Sequence, residues 1–110
     1  GAHFEIENSD SGIYIMPWGS SKGAAREAYE RLIQDQVDIG WLYTVALNPL
    51  PEEIKKILSK AKNIIVPELN YLGQWSSILR MDGYKAQSIT QYTGLPFKPK
   101  HLVEEIKKII

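Results

Sequence analysis

The chain of 110 residues is 44% hydrophobic and 24% charged, which is the size and composition of a single soluble domain. Thirteen basic and thirteen acidic residues give a formal net charge of zero, which argues against an electrostatic attachment to nucleic acid or to an anionic membrane. The sequence contains no cysteine, so it has no disulfide, no thiolate nucleophile and no ligand for a cysteine-bound iron–sulfur cluster. No apolar run approaches the roughly 20 residues of a membrane-spanning helix, and we expect a cytoplasmic protein.

The first three residues, Gly1-Ala2-His3, resemble what a cleaved expression tag leaves behind. We therefore leave His3 out of the functional argument and predict one domain over residues 4–110. No internal repeat, low-complexity tract or linker divides that range.

Two short strands are predicted near the start of the chain. Residues 4–7 alternate apolar and polar side chains, as in an edge strand, and residues 13–16 form an apolar run that ends at Pro17. The polar segment 8–12 between them has the composition of a turn. The two strands can therefore pair as antiparallel neighbours.

Strands and helices are then predicted to alternate. A first helix follows the turn at residues 19–23, residues 37–47 form a strand, and Pro51 suits the first turn of a second helix. The side chains predicted to face inward from these two helices are Ala25, Ala28, Tyr29, Leu32, Ile33, Ile54, Ile57, Leu58 and Ala61.

The second half of the chain repeats the pattern. Residues 63–67 form a buried strand, residues 70–81 contain a helix that ends at Asp82-Gly83, and residues 85–92 form a polar strand near an edge. The inward positions of the third helix and of a last helix are Trp75, Ile78, Leu79, Leu102, Val103, Ile106 and either Ile109 or Ile110. Such alternation predicts an α/β fold with a mostly parallel sheet between two helix layers.

Ligands of open α/β sheets bind outside the carboxyl ends of the strands, where the strand order reverses. Two segments of this chain are predicted at that edge, and their candidate residues for a binding site or an interface are Gly19, Ser20, Ser21, Lys22, Gly23, Glu68, Asn70, Gly73 and Gln74. Tyr71 lies in the second segment.

A glycine turn that opens a helix can hold an anion with its backbone N–H groups. Residues 19–23, however, match neither the P-loop nor the G-x-G-x-x-G fingerprint, so a strand-to-helix turn with a serine N-cap is the favoured interpretation over phosphate binding. For the second segment we favour Asn70 as a helix cap and Glu68 as a buried acid at an interface.

No catalytic residue is predicted. His101, the only histidine beyond residues 1–3, falls in the first turn of the last helix, and a single histidine forms no metal site. The chain has no nucleophile elbow. The three tryptophans, Trp18, Trp41 and Trp75, are expected in the core or at an interface.

Four segments resemble one family. Trp18-Gly19-Ser20-Ser21-Lys22-Gly23 with the later Glu27-Ala28, and Leu47-Asn48-Pro49-Leu50-Pro51, are similar to the start of a transketolase C-terminal-like domain. Residues 65–74 (IVPELNYLGQ) and 94–97 (GLPF) resemble segments of the α subunits of 2-oxoacid:ferredoxin oxidoreductases. The resemblance implies a three-layer α/β/α fold with five strands, the first antiparallel to the rest.

The resemblance also implies a function for the parent enzyme. This family oxidatively decarboxylates 2-oxoacids, pyruvate among them, to acyl-CoA and reduces ferredoxin, using thiamine diphosphate, Mg²⁺ and a [4Fe–4S] cluster. The C-terminal domain would bind none of these groups and would contact the rest of the α subunit and the β subunit. Residues 20–23 are the segment that an anionic group such as coenzyme A would touch if it reached this domain. The alternatives are the C-terminal domain of another thiamine enzyme, such as a transketolase or a 2-oxoacid dehydrogenase β chain, and a freestanding ligand-binding module.

Overall fold

The computed structural model describes residues 3–45, 49–69, 74–91 and 95–110. Five strands and four α-helices alternate in the predicted order, with a short 3-10 helix (Gly19–Ser21) before the first α-helix. The strands are β1 (Phe4–Glu7), β2 (Ile13–Ile15), β3 (Gly40–Thr44), β4 (Asn63–Glu68) and β5 (Ala86–Thr90). The helices are α1 (Lys22–Gln34), α2 (Glu52–Lys60), α3 (Gln74–Met81) and α4 (Pro99–Ile109).

The strands form one sheet in the order β1-β3-β2-β4-β5. β3, β2, β4 and β5 run parallel to one another, and β1 runs antiparallel to β3. The predicted mixed sheet is therefore confirmed. The polar strand β5 lies at an edge, as predicted. After β2, the next strand in the chain, β3, lies on one side of β2, and the strand after it, β4, lies on the other side. The strand order therefore reverses between β2 and β4, and we call this point the winding reversal.

The predicted pairing of β1 with β2 is wrong. β1 pairs with β3 instead, with Phe4 opposite Thr44 and Glu7 opposite Trp41. The connection between β1 and β2 passes the amino end of β3, where the side-chain amide of Asn8 donates a hydrogen bond to the carbonyl oxygen of Ile39 at 3.1 Å. Because β3 lies between β1 and β2 in the sheet, the two consecutive strands do not form a hairpin.

Helices cover both faces of the sheet, which confirms the three-layer architecture. The layer of α2 and α3 encloses an apolar cluster that includes Tyr14, Met16, Leu42, Ile54, Leu58, Ile64, Val66, Trp75 and Leu79. The layer of α1 and α4 encloses a second cluster that includes Ile15, Ala25, Ala28, Leu32, Trp41, Ile65, Ile89, Leu102 and Ile106. Adjacent residues of β2 and β4 alternate between the clusters because successive strand side chains point to opposite faces.

Several predicted boundaries move by a few residues. The strand predicted over residues 37–47 is shorter, since β3 begins at Gly40 and ends at Thr44. A Cβ atom at Gly40 would lie 2.5 Å from a ring carbon of Tyr14, so only glycine fits this start of the strand. Pro51 stands at the N-cap of α2 rather than inside its first turn.

Two residues predicted to face inward are exposed. Ile78 is 44% exposed, and Ile33 is 36% exposed. In α3 the buried positions are Trp75, Ser76 and Leu79, which places Ile78 about 100° from the centre of the buried face, since each residue turns the helix by about 100°. Of the two alternatives at the chain end, Ile109 packs against the core and Ile110 is exposed.

Candidate functional site

The winding reversal places two loops side by side at the carboxyl edge of the sheet, the edge at which β2, β3, β4 and β5 end. After β2 the chain turns into α1 on one face, and after β4 it leads to α3 on the opposite face. A crevice of about 190 Å³ lies between these two departures and is lined by Trp18, Gly19, Ser20 and Leu69. This is the position at which open α/β sheets bind ligands.

The side chain of Ser21 links the turn after β2 to strand β4. It occupies the N-cap position of α1, as predicted, but its hydroxyl makes no capping bond to the helix. The hydroxyl oxygen lies 2.6 Å from the carbonyl oxygen of Pro67 at the end of β4 and 2.7 Å from that of Trp18. The side chain is only 1% exposed, so its hydroxyl donates within the protein to these carbonyl oxygens, and that of Pro67 is 46 residues away in the sequence. The hydroxyl oxygen also accepts a hydrogen bond from the N–H of Trp18 at 3.3 Å.

Glu68 caps helix α3. Its side chain is fully buried, and its two carboxyl oxygens accept hydrogen bonds from the backbone N–H groups of Trp75 at 2.8 Å and Ser76 at 3.1 Å. These amides belong to the first turn of the helix, where the backbone donors lack partners within the helix and the helix dipole favours a negative group. Glu68 is therefore the buried acid that we predicted, and its partners are the amides of α3.

The remaining predicted residues take different positions. Gly19 adopts the left-handed conformation (φ 64°) that the turn requires, Ser20 is exposed, and Gly23 lies inside α1. Lys22 points away from the crevice toward β1. Asn70, Tyr71 and Gly73 lie outside the described residues, and Gln74 is described only as the first residue of α3.

A tryptophan pair closes the crevice on the α3 side. The rings of Trp18 and Trp75 stack with centroids 5.0 Å apart and an interplanar angle of 27°. Trp75 and Trp41 are buried, which confirms their predicted place in the core, and Trp18 is partly exposed. Within the described part of the chain, the indole N–H of Trp75 has no hydrogen-bond partner.

Sequence reasoning missed a second polar cluster, on the α1 side of β1. We call it the β1–α1 ladder, and it consists of Glu5, Glu7, Lys22, Arg26, Trp41 and Tyr43. The carboxylates are two residues apart on β1 and the cations four apart on α1, which brings Glu5 to Lys22 at 2.8 Å and Glu7 to Arg26. The i,i+2 spacing of the acids and the i,i+4 spacing of the bases each place two side chains on one face of their element. These spacings indicate ion pairs only once β1 is known to lie beside α1.

The aromatic residues of β3 support the cations of the ladder. The Lys22 ammonium group lies 3.9 Å from the ring centroid of Tyr43, and the Arg26 guanidinium group lies 5.1 Å from the ring centroid of Trp41. The indole N–H of Trp41 donates to Glu5 at 3.0 Å. Each cation therefore contacts both a carboxylate and an aromatic face.

The charges of the ladder shift the pKa values of its members. The hydrogen bond from Lys22 lowers the pKa of Glu5, against the opposing effect of burial. The hydrogen bond to Glu7 raises the pKa of Arg26, again against burial. For the neighbouring Tyr29, burial raises the pKa of the hydroxyl group, and the negative charge of Glu7 adds to that effect. These shifts reflect structural ion pairs on a partly exposed surface.

Among the described residues, no group of three or more histidine, cysteine or acidic side chains is arranged to hold a metal ion. His101 is exposed on the first turn of α4, as predicted. In the same described ranges, no helix has the length and apolar character needed to cross a membrane.

The two edges of the sheet differ in charge. The described loop residues at the carboxyl edge (16–21, 45, 49–51, 69, 91 and 95–98) include a single charged residue, Lys98. The loops at the amino edge (residues 8–12, 35–39, 61–62 and 82–85) carry Asp10, Asp35, Asp38, Lys62, Asp82 and Lys85. In the described part of the chain, the loops beside the crevice are thus almost free of charged side chains.

The sequence matches no family model. It is 36% identical over 108 residues to the α subunit of 2-oxoacid:ferredoxin oxidoreductase 1 of Aeropyrum pernix and 31% identical over 102 residues to the 2-oxoglutarate oxidoreductase subunit KorA of Mycobacterium tuberculosis. These matches cover 94% and 92% of this chain but only 17% and 15% of the relatives. The chain therefore spans about a sixth of the length of these curated relatives.

A solved structure gives the same result. The 2-oxoglutarate:ferredoxin oxidoreductase of Magnetococcus marinus, with 2-oxoglutarate, coenzyme A and succinyl-CoA bound, superposes with a TM-score of 0.76 at 30% sequence identity. The match covers 96% of this chain and 19% of the other. Over nearly its whole length, the chain is thus homologous to one domain-sized part of the α subunits of 2-oxoacid:ferredoxin oxidoreductases.

Proposed function

We propose that this chain is the C-terminal domain of the α subunit of a 2-oxoacid:ferredoxin oxidoreductase. The parent complex, in the cytoplasm, would decarboxylate a 2-oxoacid oxidatively, form the acyl-CoA and reduce ferredoxin. The observation that carries the proposal is the agreement of sequence and fold over more than nine-tenths of the chain with part of such a subunit.

The chain has no ligand for the cluster of the parent complex, and two of its anion-binding groups are already paired. A [4Fe–4S] cluster needs cysteine ligands, and the chain has none. A diphosphate group, as in thiamine diphosphate or coenzyme A, needs N–H donors or cations, but the first amides of α3 already bind Glu68 and Lys22 binds Glu5. We therefore assign cofactor binding to other parts of the complex and no chemical step to this domain.

The role of the domain itself would be assembly. Ser21 bonds the turn before α1 to Pro67 of β4, and Glu68 bonds the end of β4 to the first turn of α3. Groups that are already held by bonds within the domain lose little conformational entropy when another surface packs on them. We propose that the edge formed by the predicted residues 19–23 and 68–74 contacts the rest of the α subunit or the β subunit.

The test uses the complete α subunit together with its β subunit. We expect 2-oxoacid- and coenzyme A-dependent reduction of a viologen dye or of ferredoxin by the intact complex. Deletion of this domain should abolish the activity and cause the complex to dissociate, which size-exclusion chromatography would detect. If the intact complex reduces neither acceptor with any 2-oxoacid, the proposed function is wrong, and the alternatives of another thiamine enzyme or a ligand-binding module should be tested.

A further inference from the structure

We infer that the carboxyl edge of the sheet is the surface on which the preceding part of the same α-subunit chain packs. This inference rests on the proposed function and identifies the partner of the edge. Three observations carry it: the charge distribution of the edge, its exposed apolar side chains and the point at which the chain enters the domain.

The edge has the composition of a protein interface. Val45 is 56% exposed and Leu95 is 62% exposed, and Trp18 and Leu69, which line the crevice, are partly exposed. The centres of protein interfaces are depleted of charged residues, and so are the described loop residues of this edge. A nucleic acid or a polyanionic ligand would require several cations, and the described loop residues of this edge supply one, Lys98.

Charged residues surround the edge at the first turns of the helices. Lys22 begins α1, Glu52 and Glu53 begin α2, and Lys98 precedes α4. An apolar centre with a charged rim is the usual anatomy of an interface with another protein surface.

The path of the chain selects the occupant. Because β1 is antiparallel, its first residue lies at the carboxyl edge, where Phe4 is opposite Thr44 and the carbonyl oxygen of His3 accepts a hydrogen bond from the N–H of Val45 at 3.4 Å. In a C-terminal domain, the preceding chain therefore enters directly beside the exposed Val45. The relative from Aeropyrum pernix, of which this chain spans 17%, has ample chain for a neighbouring domain. Covalent connection at this point gives that domain a high effective concentration at the edge.

The first experiment compares backbone hydrogen exchange in this 110-residue chain and in the complete α subunit. In the complete subunit, amides of residues 19–21 and of Val45 should exchange at least about tenfold more slowly than in the 110-residue chain, since docking suppresses local opening. Amides of residues 82–85, at the amino edge, should exchange at the same rate in both.

Matched substitutions test whether the surface is the cause. Val45→Glu in the complete α subunit should return the exchange of residues 19–21 to the rate of the 110-residue chain. Met81→Glu is the control, because Met81 is 85% exposed on the last turn of α3, at the opposite edge, and gains the same charge. The control variant should retain full protection. Melting temperatures of the two variants in the 110-residue chain should match that of the unchanged chain, which separates lost docking from lost folding.

Each other outcome overturns the inference in a recognisable way. Protection of residues 82–85 alone would place the contact at the amino edge. Protection that appears only after the β subunit is added would make that subunit the occupant, and a dimer of the 110-residue chain that protects the edge would make it a second copy. All three results leave the proposed function standing. A wild-type complex without 2-oxoacid-dependent activity would instead refute the proposed function, whatever the exchange data show.

Discussion

Two polar clusters hold connections of this domain in place, and they do so in different environments. At the winding reversal, Ser21 and Glu68 are buried and bond to backbone groups. In the β1–α1 ladder, Glu5 and Lys22 are about two-fifths exposed and bond to each other. In both clusters a carboxylate accepts N–H donors. The donors of the first cluster are backbone amides in the first turn of α3, whereas those of Glu5 in the ladder are the partly exposed Lys22 ammonium group and the indole N–H of the buried Trp41.

We expect the two clusters to contribute differently to the free energy of unfolding. A buried polar group without a partner costs its full desolvation, about 1 to 3 kcal/mol, whereas exposed ion pairs contribute about 0 to 1 kcal/mol because water screens them. The buried cluster should therefore set the stability of the loops at the carboxyl edge, and the ladder should mainly set where β1 lies. The following predictions test this contrast.

The largest effect is expected for Glu68→Ala. The substitution leaves the amides of Trp75 and Ser76 without their acceptors and removes the favourable charge at the start of α3. We expect the free energy of unfolding to fall by about 2 to 4 kcal/mol, measured by urea denaturation.

The control is Glu68→Gln, which keeps one carbonyl oxygen as an acceptor. Its loss should be clearly smaller than that of Glu68→Ala. Equal losses for the two variants would show that side-chain volume, and not the capping bonds, determines the effect. A loss below about 0.5 kcal/mol for Glu68→Ala would mean that other groups satisfy the amides.

Ser21→Ala is expected to have the next largest effect. It removes the hydroxyl that lies 2.6 Å from the carbonyl oxygen of Pro67 and so breaks the link between the loops after β2 and β4. We expect a loss of about 1 to 2 kcal/mol in the same denaturation measurement. The neighbouring Ser20 is exposed, and Ser20→Ala should change stability by no more than about 0.5 kcal/mol. If the two variants behave alike, the bond to Pro67 contributes nothing.

The alternation of strands and helices was predictable because it follows from local patterns. Apolar runs of strand length and helical faces spaced by three and four residues identified the parallel strands, four helices and the edge position of β5. The partner of β1 was not predictable in this way. Its place beside β3 depends on contacts of Glu5 with Lys22 and of Asn8 with Ile39, which join residues 17 and 31 positions apart.

The position of the candidate site was predictable from the sequence, but its hydrogen bonds were not. The placement of Ser21 and Glu68 at the carboxyl edge followed from strand ends, and the burial of Glu68 was expected. The bond from Ser21 to Pro67 spans 46 residues and depends on β2 and β4 being neighbours, which no local pattern encodes. The ladder was missed for the same reason, since its rungs exist only after β1 is placed next to β3.

A smaller effect is expected for Arg26→Ala in the ladder. Arg26 bonds to Glu7 and Glu30 and contacts the rings of Tyr29 and Trp41, so the loss should be about 1 kcal/mol. Arg31→Ala is the matched control on the same helix, because Arg31 pairs only with Glu27 among the described ion pairs and stacks on no described ring. Its loss should be about 0.3 kcal/mol. Similar losses for both variants would show that the aromatic contacts of Arg26 add nothing.

The smallest effect concerns the titration of Glu5, followed by nuclear magnetic resonance of its carboxyl carbon. The hydrogen bond from Lys22 lowers the pKa of Glu5 in the folded chain, so the midpoint should lie below the ordinary value of 4.5. A lowered folded-state pKa means that the contribution of Glu5 to stability is present above pH 4.5 and is lost as the pH falls through the folded-state pKa. Lys22→Gln should raise the midpoint, and added salt should have the same effect on the wild type, since the pair is exposed. If Lys22→Gln leaves the midpoint unchanged, the hydrogen bond from the Trp41 indole, and not the ion pair, lowers the pKa of Glu5. The ladder would then resemble the buried cluster more closely than its exposure implies.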